Sequence, residues 1–111
     1  MAKKLDDIRQ ICKALPDTYE QFTDGHPTFF TAEGRDPLRP YVVCLYDDDR
    51  WAIWVAQPPG GLETYLKMNP KFFFRPPDPK KSDWVGIDLR SRVPSIAITA
   101  IITEGHAFVR G

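Results

Sequence analysis

The sequence predicts one α+β domain, a two-layer structure in which an antiparallel sheet carries helices on one face, in the order α-β-β-β-α-β-(β)-α. Three observations lead to this class. Apolar residues near the start recur at helical spacing, two β-branched and aromatic runs flank a short polar stretch, and an alternating strand pattern follows residue 83. The 111 residues suffice for one hydrophobic core and not for two. We therefore expect residues 1–111 to form a single domain.

The first part of the chain reads as a helix followed by a strand. In residues 4–15 the apolar positions fall at helical spacing, at Leu5, Ile8, Cys12 and Leu15. Pro16 ends this helix, because proline lacks an N–H group and restricts the residue before it. Residues 27–32 have the composition of a strand, and residues 33–40, with one glycine and two prolines, predict a turn or short loop.

The middle of the chain has the pattern of a hairpin. Residues 41–46 and 51–56 are two apolar runs separated by four polar residues. Three of those four are aspartates, Asp47, Asp48 and Asp49, so a metal site is an alternative interpretation. Aspartate favours turns through side-chain hydrogen bonds to its own backbone, and the distal glutamate of a calcium loop is missing. We therefore interpret these aspartates as residues that stabilise the turn of the hairpin.

The next segments alternate between chain breaks or loops and short secondary-structure elements. Residues 58–61, PPGG, break the chain and lack the pattern of a phosphate-binding loop. Residues 62–68 predict a short helix, residues 72–74 a short apolar segment, residues 75–82 a loop, and residues 84–89 a strand with alternating faces.

The last segment, residues 94–109, fits two structures. Its isoleucines and threonines favour a strand. Its length, the proline at its start and the spacing of Ile98, Ile101 and Ile102 favour a helix. The residues alone leave both interpretations open.

Composition and charge limit the classes of protein to consider. The hydrophobic fraction of 42% and the charged fraction of 27% are ordinary for a globular domain. No apolar run reaches the roughly 18 residues of a membrane span, and the charged N-terminal residues lack the apolar core of a signal peptide. We therefore expect a cytoplasmic protein without a membrane partner. The net charge of zero means that nucleic-acid binding would need a local basic patch.

The two cysteines are expected to be structural. Cys12 lies in an apolar helix pattern and Cys44 in an apolar strand pattern. No CxxC motif and no cluster of cysteine and histidine has the spacing of a zinc site. We expect buried free thiols, no metal and no cofactor.

Four motifs, in this order, resemble those of the MmcQ/YjbR family: Ala14-Leu15-Pro16, Gly25-His26-Pro27-Thr28-Phe29, Phe73-Phe74 followed by Pro76-Pro77, and Trp84-Val85-Gly86-Ile87-Asp88-Leu89. The resemblance covers about residues 5–109. It implies the double-wing, CyaY-like fold with which DNA binding is associated, and it implies a helix for residues 94–109. The chain departs from the family pattern in the isoleucines and threonines of that helix and in a longer loop at residues 33–40.

A local basic patch is the first functional hypothesis. Residues 71–92 contain six basic and three acidic residues, an excess of three positive charges that can hold the phosphates of DNA. The predicted phosphate contacts are the basic residues Lys71, Arg75, Lys80, Lys81, Arg90 and Arg92. Neighbouring rings offer stacking or ligand contacts, and the candidates are His26, Phe72 and Trp84. The alternative for each basic residue is a charge that only keeps the loop hydrated.

A second hypothesis is a module that binds a protein or a small acidic ligand on the open face of the sheet. Its aromatic anchors would come from Trp51, Trp54 and Trp84, with burial in the core as the alternative. Because Trp51 and Trp54 are three positions apart, a regular strand points them to opposite faces.

An enzyme is the third and least supported class. His26 lies near Asp24 and Thr28, but the sequence contains no GxSxG nucleophile motif. A hydrogen-bonding role at the start of a strand is the alternative for His26. His106, near the last residues, is expected to be hydrated or to complement a helix dipole. We expect no catalytic residues.

Overall fold

A computed structural model describes residues 5–32, 38–47 and 50–111, except for the side chains of residues 46, 47 and 50. Within these ranges the chain forms three α-helices, six strands and one 3₁₀ turn. Their bounds in chain order are α1 Leu5–Lys13, β1 Thr18–Thr23, β2 His26–Thr31, β3 Arg39–Asp47, β4 Arg50–Val55, α2 Gly61–Met68, β5 Phe73–Phe74, the 3₁₀ turn Pro79–Lys81, β6 Val85–Asp88 and α3 Ser95–Arg110.

The strands form one sheet in the order β1-β2-β3-β4-β6-β5, and every neighbouring pair is antiparallel. Strand β6 lies between β4 and β5, so the chain passes from β4 through α2 to the outer strand before it returns. The helices contribute to one core cluster together with the sheet. The predicted α+β class, with an antiparallel sheet, is therefore confirmed.

Strand β1 is an addition to the predicted order. It pairs along its whole length with β2, from Thr18 opposite Thr31 to Thr23 opposite His26. The two residues between the strands, Asp24 and Gly25, have φ angles of 52° and 82°. These left-handed values are those of a two-residue type I′ turn, in which aspartate and glycine are favoured. The turn fixes the position of His26 as the first residue of β2.

The hairpin predicted in the middle of the chain is confirmed. Strands β3 and β4 are paired from Val42 opposite Val55 to Asp47 opposite Arg50. The side chains of the three aspartates considered as a metal site are not among the described parts of the chain. Most of the loop predicted at residues 33–40 also lies outside the described residues.

The last segment is a helix, as the family resemblance implied. Its buried residues are spaced by three and four positions, at Ile98, Ile101, Ile102, Gly105 and His106. Helical spacing and length prevail over the strand propensity of the isoleucines. The hydroxyls of Thr99 and Thr103 donate to the carbonyls four residues earlier, which lets threonine remain inside a helix.

Helix α3 lies so close to the sheet that one position requires glycine. A Cβ atom at Gly105 would lie 2.4 Å from the carbonyl oxygen of Ala56 and 2.9 Å from a methyl of Val55. Around this contact the core contains two cross-strand rows, Phe29–Val42–Val55–Val85 and Cys44–Ile53–Ile87–Phe73.

The expectation of buried free thiols is confirmed. Cys12 and Cys44 are unpaired and buried within the core cluster. Burial raises the pKa of both thiols, that of Cys44 to about 12. Both groups therefore remain protonated at neutral pH and act as apolar packing residues.

In the described ranges, none of the helices combines the length and the apolar character that crossing a membrane requires.

Candidate binding cleft on the open face of the sheet

One cross-strand row of residues lies on the face of the sheet away from the helices. Pairing across the sheet aligns Thr28, Val43, Trp54, Gly86 and Phe74. These residues alternate with the core residues along each strand, so they lie on the opposite face. We call this the open face.

A cleft of about 260 Å³ lies on the open face. Its floor is formed by residues of β2, β3 and β4, one wall by the β1–β2 turn, and the other wall by the 3₁₀ turn. The lining residues are Thr23, Asp24, His26, Thr28, Val43, Leu45, Trp54, Asp78 and Lys81. The floor is mostly apolar, whereas both walls carry ionisable groups.

The segment between β5 and β6 reaches over the open face and is held there by local contacts. Phe74 packs directly on Gly86, where a Cβ atom would lie 2.4 Å from its ring. Asp78 accepts a hydrogen bond of 2.9 Å from the N–H of Lys80 and lies 3.6 Å from the amine of Lys81. That amine also lies 5.2 Å from the centre of the Trp84 ring. Together these contacts place Lys81 at the cleft.

The opposite wall is held by the β1–β2 turn. The Thr28 hydroxyl, which is buried, donates a hydrogen bond of 3.0 Å to the backbone carbonyl of His26. The His26 side chain is half-buried and faces the cleft beside Asp24. The walls therefore offer carboxylate acceptors and cationic or imidazole donors over an apolar floor.

The six basic residues predicted from the sequence fall into two groups. The antiparallel register of β5 and β6 places Arg75, Lys80 and Lys81 near the start of β6. It places the other three, Lys71, Arg90 and Arg92, beyond the end of β6. The length of β6, roughly 10 Å at about 3.3 Å per residue, separates the two groups.

Ion pairs reduce the charge that each group presents. Arg75 lies 3.6 Å from Glu63 and Arg90 lies 3.3 Å from Asp88, in addition to the pair between Lys81 and Asp78. Within the described residues, Lys71, Lys80 and Arg92 are exposed and make no ion pair.

The three predicted stacking residues lie in two different parts of the structure. His26 lines the cleft, whereas Phe72 and Trp84 are half-buried and pack against the core cluster. Trp51 also packs against the core, while Trp54 lies on the cleft floor. The prediction that Trp51 and Trp54 face opposite sides of the sheet is confirmed, and Trp54 is the tryptophan among the three that lines the cleft.

The expectation that His106 is hydrated is wrong. The side chain is 4% exposed, and its Nε2 donates to the carbonyl of Pro16 at 2.7 Å and lies 3.3 Å from the Thr31 hydroxyl. The Tyr41 ring meets the imidazole edge-to-face, with centroids 5.1 Å apart. His106 thus joins α3 to β2 and to the segment after α1.

Sequence reasoning missed the carboxylates Asp24 and Asp78 as cleft residues. The Asp-Gly pair at residues 24–25, a strong hairpin signal, could have located the first. Among the described residues, no three histidine, cysteine, aspartate or glutamate side chains come together in a way that could hold a metal ion.

No protein-family model matches the chain, and no curated protein matches it. Among solved structures, the Deinococcus radiodurans protein DR2400, described as a DUF419 domain, is similar with a TM-score of 0.82. The match has 21% sequence identity and covers 96% of this chain and 78% of that chain. DUF419 is the MmcQ/YjbR-like family. At this identity the likeness establishes a shared fold.

Proposed function

We propose that this chain is a non-catalytic nucleic-acid-binding domain of the MmcQ/YjbR type, and that it binds through the cleft and the basic residues beside it. The observation that carries the proposal is the meeting of His26 and Lys81, distant in sequence, at one cleft whose floor contains Trp54. An aromatic floor with basic groups at its edge is the combination with which proteins hold bases and phosphates.

The charges beside the cleft support contact with a phosphate backbone. Lys80 is exposed and makes no ion pair among the described residues, so its charge is available to a phosphate. Arg75 is also exposed, and its pair with Glu63 at 3.6 Å is a surface contact that a phosphate can replace. Lys81, whose pair with Asp78 at 3.6 Å a phosphate would also have to share or replace, is the third proposed phosphate contact on this side of the cleft.

A fluorescence-anisotropy titration with labelled DNA at several salt concentrations tests the proposal. Three phosphate contacts give an expected log–log slope of affinity against salt of about −2.7 for duplex DNA and about −2.1 for a single strand. Absence of binding at about 50 mM salt, or affinity that does not change with salt, would contradict the proposal.

Two charge-reversal variants locate the contact. Lys80→Glu should weaken binding by about tenfold, because it removes one attraction and adds one repulsion beside the cleft. Lys71→Glu is the matched control, since Lys71 is also exposed and unpaired but belongs to the other basic group. Equal losses in the two variants would show that the cleft side has no special role.

The cleft itself favours a second candidate, a domain that binds a small acidic ligand. Its volume of about 260 Å³ lies just below the usual range for small-molecule sites, and it has an apolar floor with few polar groups. A rise in melting temperature with small carboxylates or phosphates, together with no binding of any oligonucleotide, would favour this candidate over the first.

A further inference from the structure

We infer that the cleft takes one unpaired nucleobase, preferably cytosine, and that the domain binds single-stranded nucleic acid more tightly than duplex. This inference rests on the proposed function and specifies what enters the cleft. It follows from the size of the cleft, the chemistry of its floor and the charges on its walls.

The size of the cleft suits a single base. A volume of about 260 Å³ is smaller than most sites for drug-sized ligands. A base inside a duplex cannot enter such a cleft unless it leaves the stack, which costs the stacking and pairing free energy of that base. A single strand presents bases that are already free to turn outward. The cleft therefore discriminates against duplex.

The floor suits the flat face of a base. Trp54 is half-buried between the two walls, and Val43 and Leu45 extend the apolar surface beside it. Stacking on an aromatic ring is tolerant of sequence because every base has a π-face. The floor thus provides affinity, and discrimination among bases has to come from the walls.

The walls determine which part of the nucleic acid enters. Asp24 and Asp78 both line the cleft. Asp78 is already engaged by the Lys80 N–H and the Lys81 amine, whereas the Asp24 side chain makes no hydrogen bond or ion pair among the described residues. The Asp24 carboxylate, which no ion pair neutralises among the described residues, repels a phosphate, so the backbone stays outside the cleft, near Lys80, Lys81 and Arg75. A carboxylate accepts readily from an exocyclic amino group, as from N4 of cytosine, whereas thymine has a carbonyl at that position. Between two pyrimidines of similar size, the walls favour cytosine.

The test compares three labelled DNA molecules at one salt concentration: a ten-nucleotide strand of cytosine, the same length of thymine, and a ten-base-pair duplex. We expect the cytosine strand to bind at least about tenfold more tightly than the duplex and about fivefold more tightly than the thymine strand. Equal affinity for the strand and the duplex, or a preference for the duplex, would overturn the inference and leave the proposed function intact. No binding to any of the three would overturn both.

Variants of the cleft identify the contact. Trp54→Ala should reduce single-strand affinity by about tenfold and leave weak duplex binding unchanged, while Trp54→Phe should retain most of the affinity. Asp24→Asn should reduce the preference for cytosine over thymine, and asparagine tolerates the left-handed φ of 52° at this position. Thermal denaturation verifies that each variant is folded. If Trp54→Ala does not fold, Trp54→Phe and Asp24→Asn carry the test, and an unchanged cytosine preference in Asp24→Asn overturns the inference.

Discussion

The two faces of the sheet differ in what covers them, although consecutive residues of the same strands supply both. On β2, Phe29 is fully buried against the helices, whereas its neighbour Phe30 is half-buried on the open face. On β4, Trp51 packs against the core cluster, whereas Trp54 lies on the floor of the cleft. The alternation of a strand therefore separates residues packed against the helices from residues on the open face, where Phe30 and Trp54 remain partly exposed.

The contrast extends to polar groups. On the covered face, His106 and Tyr41 have partners inside the protein, at the Pro16 carbonyl and the Thr18 hydroxyl. On the open face, Asp24 and His26 line a cleft that opens to solvent. Buried groups with fixed partners stabilise one structure, while exposed groups with unused hydrogen-bonding capacity can serve recognition.

The largest expected difference between the two faces is in the stability lost when the adjacent residues Phe29 and Phe30 are each replaced by alanine. Phe29→Ala should lower the free energy of unfolding by about 3–5 kcal/mol, because it leaves a cavity in a close-packed core. Phe30→Ala should lower it by about 1 kcal/mol, since part of that side chain already meets water. Urea denaturation of the two variants measures both values. A loss for Phe30→Ala as large as that for Phe29→Ala would contradict the division into two faces.

Two glycines test the same division through close contacts. Gly105→Ala should lower the free energy of unfolding by about 1–3 kcal/mol, because the new Cβ would meet a backbone carbonyl that cannot move aside. In an ordinary helix the same change is stabilising by about 1 kcal/mol, so the sign alone is informative. Gly86→Ala should have a smaller effect on stability, since the Phe74 ring can turn away. That movement should disturb the cleft and weaken ligand binding, which thermal denaturation and a DNA titration measure together.

An ion pair on the covered side gives a pH-dependent effect of intermediate size. Arg9 donates two hydrogen bonds, of 2.8 and 2.6 Å, to the Glu20 carboxylate, and these contacts lower the pKa of Glu20 below its ordinary value. The carboxylate therefore stabilises the fold above the pKa of the unfolded chain, and this stabilisation is lost as the pH falls through the lower folded pKa.

Glu20→Gln should accordingly lower the free energy of unfolding by about 1–2 kcal/mol at neutral pH. The difference from the unmodified protein should shrink as the pH falls below about 4. Denaturation curves recorded between about pH 3 and 7 measure this change. A difference that remains constant with pH would contradict the assignment.

The smallest expected effect on stability is at the open face. Lys80→Glu should change the free energy of unfolding by no more than about 0.5 kcal/mol, because Lys80 is exposed and forms no ion pair among the described residues. The same variant should weaken DNA binding about tenfold. A large loss of stability would mean that the lysine supports the fold and not a ligand.

Much of the fold could be predicted because, along most of the chain, the spacing of apolar residues agrees with the positions of proline and glycine. Strand β1 was missed because its apolar residues, Tyr19 and Phe22, do not alternate, and both are exposed on an edge strand. The Asp-Gly turn after it was the available signal. The burial of His106 could also have been predicted, since it lies four residues after Ile102 on the helix.

The cleft could not be predicted in the same way. His26 and Lys81 were each candidates, but their meeting depends on the path of the segment between β5 and β6 over the open face. That path is set by contacts such as Phe74 on Gly86 and Asp78 with Lys80, which have no periodic pattern. The register of β5 and β6 divides the basic residues into two groups, although they are close in sequence.

Recognition at the open face can be located by an amide and indole NMR titration of the protein with the ten-nucleotide cytosine strand. We expect shifts at His26, Thr28, Lys81 and the Trp54 indole, while the outer surface of α3 and the indole of Trp51 remain unchanged. Shifts that cluster on α3, or a spectrum that does not change at saturating DNA, would contradict the assignment of recognition to the open face.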